Sequence, residues 1–151
     1  RRIYVDVAVY PAVFMYRHYL ELTLKDIIFL TRRLEGSESS FPKTHKLSVL
    51  WPEARRLLIA HYGKEAPKEL VNLDSCFKEF VQHDPDSMAF RYPFDKKGNK
   101  HLMELSHINL RHLHETMGRI SNFLSSIAAH IADRVQWQLE MEAEMRAEME
   151  H

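Results

Sequence analysis

Cysteine is almost absent from this chain. One residue in 151, Cys76, carries a thiol, so no disulfide can form within the chain. That usage fits a reducing, cytoplasmic setting. A lone cysteine in a helical apolar pattern reads as small core filler rather than a nucleophile. Glycine and proline are scarce as well, at four and six residues, which excludes collagen-like, low-complexity and long disordered segments. Neither charge is in excess, with 21 basic and 21 acidic residues. The balance argues against a general nucleic-acid or membrane-surface binder and leaves room for a local basic pocket. No apolar run is long and uncharged enough to span a bilayer, because Arg17, Glu21 and Lys25 interrupt the best candidate. Gly-rich phosphate loops, Cys-x-x-Cys pairs and nucleophile elbows are missing. The chain opens Arg1-Arg2 with no Met and no signal-peptide pattern, which fits a trimmed or processed chain or part of a longer protein.

What remains is a helical pattern of a length suited to one domain. Residues 3–10 have strand propensity but no hairpin partner nearby, so they read as an extended lead-in or an early helical turn. A first helix is expected from about Pro11 to Leu34, apolar almost all round and ended by Gly36. A second runs from His45, capped by Thr44, to Tyr62, with Pro52 expected to kink or split it at Trp51. Pro67 opens a third that Asp84-Pro85 stops, and residues 85–101 read as a structured loop or small hairpin. The last helix is the longest, from about Leu105 to Glu150. Leu110, Leu113, Met117, Ile120, Leu124, Ile127 and Ile131 form a heptad-like seam, and Gly118 beside it would allow a close helix crossing. The fold class is therefore all-α, a bundle of about four helices with one inserted loop. Residues 1–139 make the bundle and 140–151 an acidic helical tail. In that tail Met141, Met145 and Met149 share a face, which reads as a fraying solvated end or as a stripe for a partner protein.

The first helix carries the clearest polar feature. Arg17, Glu21 and Lys25 stand at i, i+4 and i+8, stacked on one face between apolar borders. Such a ladder is a solvated seam or a partly buried network, and a buried network needs a partner for each charge. Other candidates are less specific. Arg56 and His61 have the residue types to stabilise a phosphate and move a proton in RNA cleavage by the 2′-hydroxyl. Ordinary surface residues of a helix explain them equally well. Glu104 and His107 have the Glu-x-x-His spacing of di-iron bundles, but that architecture needs a second copy, and none is present. No cofactor is expected.

Three pieces of the sequence resemble the HEPN superfamily of small helical-bundle proteins. They are Arg17-His-Tyr-Leu-Glu-Leu-Thr-Leu-Lys25, Thr44-His-Lys-Leu47, and Phe90-Arg-Tyr-Pro93 ahead of the last helix. The resemblance covers about Phe14 to Ile131. It implies a bundle that often forms homodimers, and bacterial members that work in toxin–antitoxin, antiphage or nucleotidyltransferase-linked systems. It also implies that Arg17, Glu21, Lys25, His45 and Arg91 meet in one ligand-binding polar cluster. Ribonuclease members carry an Arg and, four to six residues on, a His near the start of a late helix, and nothing after Phe94 matches that. The expectation is a non-catalytic module that binds a nucleotide, RNA or a partner protein. The alternatives are a metal-independent endoribonuclease using Arg56 and His61, or Arg17 and His45, and more distantly a metal-binding bundle.

Overall fold

A computed structural model describes the backbone of residues 2–37, 40–83 and 110–151 and the side chains of 11–37, 40–78, 81 and 114–151. Those residues form four α-helices: α1 (Arg2–Leu34), α2 (Leu47–Tyr62), α3 (Glu69–His83) and α4 (Leu110–Met149). A short 3-10 turn (Gly63–Glu65) links α2 to α3, and no strand occurs among the described residues. The chain is an all-α bundle with a long final helix. No helix among the described residues is long and apolar enough to cross a membrane.

α1 is the hub. It packs against both α2 and α4, while α3 packs on α2. A helix with neighbours on two sides needs apolar residues on two sides, which explains why α1 reads as greasy nearly all round. Leu20, Leu24, Ile27 and Ile28 of α1 are fully buried with Leu50, Leu57 and Leu58 of α2 and Met117, Leu124 and Ile131 of α4. Phe77 of α3 stacks on Trp51 of α2 at 4.5 Å between ring centroids. The Trp51 indole N–H donates to Asp74 at 2.7 Å, so its polar edge is satisfied.

Helix boundaries differ from the sequence reading in four places. α3 begins at Glu69 rather than Pro67, whose carbonyl instead accepts the Leu70 N–H at 3.2 Å in the turn before the helix. α1 begins at Arg2, so residues 3–10 are helical and Pro11 lies inside the helix. A β-prone segment without a second strand has no ladder to join, whereas a helix satisfies its backbone internally. α2 begins at Leu47 rather than His45, with Lys46 as N-cap and no side-chain cap. Thr44 instead accepts the Lys46 N–H at 3.2 Å, bracing the approach to the helix. Pro52 does not split α2, which runs unbroken through Trp51. The proline removes only the bond to the Ser48 carbonyl, and both residues are exposed, so water can replace it.

The end of α1 follows the sequence reading. Gly36 has φ 77°. Ser37 N–H donates to Arg32 O, and Gly36 N–H to Arg33 O, each at 3.1 Å. This pair of bonds is a Schellman close, which favours glycine at the left-handed position. Gly118 proves unrelated to a close crossing: a Cβ there would meet nothing within 4 Å. The expected loop or hairpin at 85–101 lies outside the described residues.

Candidate functional site

The ladder on α1 is buried. Arg17, Glu21 and Lys25 all lie in the interior, and the Glu21 side chain is only 4% exposed. Three basic groups converge on that carboxylate. Arg17 Nη1 donates to Oε2 at 2.9 Å, Lys25 Nζ to Oε1 at 3.0 Å, and His45 Nδ1 to Oε1 at 2.6 Å. Two of these come from the turns of α1 before and after Glu21, as i, i+4 spacing requires. The third arrives from the extended segment that precedes α2. His45 stays outside the helix, and its carbonyl accepts a further bond from Arg17 Nη2. Donation from Nδ1 sets the tautomer of His45 and leaves Nε2 on the outer side of the ring.

Electrostatics hold the carboxylate ionised. Burial alone pushes the Glu21 carboxyl up, but the hydrogen bonds from His45, Lys25 and Arg17, with the Lys25 charge, bring it down from 4.5 to about 2. Glu21 is thus a fixed anion that orients three basic side chains, not a proton donor near neutrality.

The cluster reaches the surface at two rings. His45 has 68% of its side chain exposed, and Phe41 is 45% exposed. The Lys25 ammonium lies 6.0 Å from the centroid of the Phe41 ring, a cation–π distance. Phe41 rests in turn against Phe29 at 6.1 Å. One surface spot therefore presents an aromatic face, an imidazole edge and, just beneath, a buried ammonium.

The structure brings Arg17, Glu21, Lys25 and His45 together. Arg91 lies outside the described residues, as do Glu104 and His107. Arg56 and His61 stand apart in their contacts. Arg56 holds Glu53 with two bonds, at 3.0 and 2.8 Å, and Arg32 of α1 reaches the same carboxylate at 3.2 Å. His61 sets its ring edge-on to Tyr62, and burial, with the charges of Arg134 and His130, pushes its imidazole down. Five residues at about 100° each place the two on different sides of α2. No hydrogen bond joins them among the described residues. Nor do three His, Cys, Asp or Glu side chains gather among those residues in a way that could hold a metal ion.

Sequence reasoning missed Phe41, which sits in a stretch that reads as loop by composition. Its signal was position, since it lies four residues before His45. It also missed the tyrosine contacts that tie α4 in place. Tyr16 meets His114 Nδ1 at 2.7 Å, Tyr62 meets His130 Nδ1 at 2.8 Å, and Tyr19 donates to the Ser121 carbonyl at 3.2 Å. Comparisons with family models, with curated proteins and with solved structures gave no match.

Proposed function

We propose that this chain is a HEPN-like, non-catalytic helical module that binds a nucleotide phosphate with its base, as a free nucleotide or within single-stranded RNA. The observation that carries the reading is the exposed Phe41 ring over the buried Lys25 ammonium, beside the exposed ring of His45. Stacking on an aromatic face is a sequence-tolerant way to hold a base, contributing about 1–3 kcal/mol. Among the described residues, Arg17 and Lys25 set two cations against the single Glu21 carboxylate, and water screens the surplus positive charge less than it would a surface lysine's. Glu21 sets the geometry: by fixing Lys25, Arg17 and His45 it spares the ligand the cost of ordering them. The near-neutral whole chain fits recognition at one spot rather than along an extended basic track. The separate engagements of Arg56 and His61, and the burial of Arg17 against the Glu21 carboxylate and the His45 carbonyl, favour binding over cleavage.

The test is a fluorescence-anisotropy titration with a labelled adenine nucleotide and with a labelled single-stranded RNA. Lys25→Met and Phe41→Ala are each expected to weaken binding roughly tenfold, which corresponds to about 1.4 kcal/mol. The same RNA, incubated in chelator, is expected to stay intact. Absence of binding by either probe, unchanged affinity in both variants, or cleavage in chelator that Arg56→Ala or Arg17→Ala abolishes would each refute the proposal.

A further inference from the structure

The seam on α4 outlasts the helix it packs against. Met117, Ile120, Leu124, Ile127, Ile131 and Val135 are buried, but every residue from Glu140 onward is exposed although the helix continues to Met149. The reason lies in α1, which ends at Leu34; Arg33, Gly36 and Ser37 line a surface pocket with Gln138, Leu139 and Glu142. Met141 and Met145 lie two heptads beyond Ile127 and Ile131, so the apolar pattern carries on where its partner stops. Trp137, four residues before Met141, extends the stripe on the outer side. Trp137 is 63% exposed and Met145 61%, large apolar side chains of the kind that anchor interfaces.

Charge beside the stripe selects its occupant. From residue 137 to the last residue there are five glutamates and one arginine. Glu140, Glu144 and Glu148 repeat at i, i+4 and i+8, so they form a ladder alongside Trp137, Met141, Met145 and Met149. Arg146 lies on the opposite side of the helix and faces Glu142 at 3.8 Å. A second copy of this helix would bring two acidic ladders together, and like charges across an interface are unfavourable. A helix with an apolar face bordered by Lys or Arg would bury the stripe and pair the ladder.

We infer that the α4 extension from Trp137 onward is a docking surface for a basic amphipathic helix of a partner protein, which takes the place along α4 that α1 occupies earlier. Methionine suits such a surface because its flexible side chain adapts to the incoming face.

The experiment uses the full chain and two synthetic helical peptides, one with leucines at heptad spacing flanked by lysines, the other with glutamates in place of the lysines. Trp137 emission reports binding, and Trp137→Phe supplies the background from Trp51. The lysine peptide is expected to bind with a blue shift, and the glutamate peptide to leave the emission unchanged. Met141→Ser with Met145→Ser should weaken lysine-peptide binding at least tenfold, and Glu144→Gln with Glu148→Gln several-fold. These positions are exposed, so circular dichroism should match the unaltered chain. The inference fails if the lysine peptide does not bind, or if both peptides bind equally. It also fails if sedimentation shows a dimer that the methionine variant dissolves, which would give the stripe to a second copy.

Discussion

Glu21 is the residue on which the buried cluster depends. Replacing it by Gln keeps the size but removes the charge, leaving Arg17 and Lys25 in the interior without the carboxylate that orients them. Breaking a buried ion pair from one side typically costs about 3–5 kcal/mol, and urea unfolding of Glu21→Gln should show a loss of that order. The depressed carboxyl adds a pH signature. Its folded value, about 2, lies below the ordinary 4.5, so its contribution is complete above 4.5 and disappears as pH falls through about 2. Linkage sets an upper bound on the order of 3 kcal/mol for that contribution. Stability measured across this acid window should fall more steeply for the unaltered chain than for Glu21→Gln. Thr31 gives a contrasting case. Its hydroxyl is fully buried and finds no hydrogen-bond partner among the described residues. Thr31→Val should therefore stabilise by about 1 kcal/mol, because an unmet polar group is replaced by an apolar one of the same shape.

At the scale of elements, glycines test which turns depend on backbone shape. Gly36 closes α1 in the left-handed region, and nothing crowds its missing Cβ. Gly36→Ala should thus cost about 1 kcal/mol through backbone strain alone. Gly118 lies inside α4 with equally open space. Gly118→Ala should stabilise by up to about 1 kcal/mol, the difference in helix propensity. Thermal unfolding of the two variants should move in opposite directions. The elements themselves were largely legible in the sequence, because 3.6-residue periodicity, Gly36 and Gly63 are local signals. The ladder on α1 was legible as a stripe, but its burial was not. Whether i, i+4 charges face water depends on what crosses them, here the segment from Phe41 to His45, and that is a long-range fact. The starts of α1 and α2 went astray because strand propensity and a Thr before a helix are weak against backbone satisfaction and the pull of Arg17 on the His45 carbonyl.

The whole molecule is organised by two long helices, the 33-residue hub α1 and the 40-residue rod α4. α4, at 40 residues, extends about 60 Å at 1.5 Å per residue, yet only its part up to Leu139 has partly buried or buried residues. The two proposed recognition surfaces therefore draw on different parts of the molecule, one on buried charge and an exposed ring, the other on exposed helix. Replacements on the α4 stripe should leave nucleotide affinity unchanged, and Phe41→Ala should leave peptide binding unchanged. If Glu21 assembles a recognition site for a nucleotide, the His45 ring should sense the ligand. In a proton–carbon NMR titration with an adenine nucleotide, the His45 ring resonances should shift along the binding curve, and Lys25→Met should suppress the shift. Resonances of His45 that stay fixed while the nucleotide binds elsewhere would contradict it.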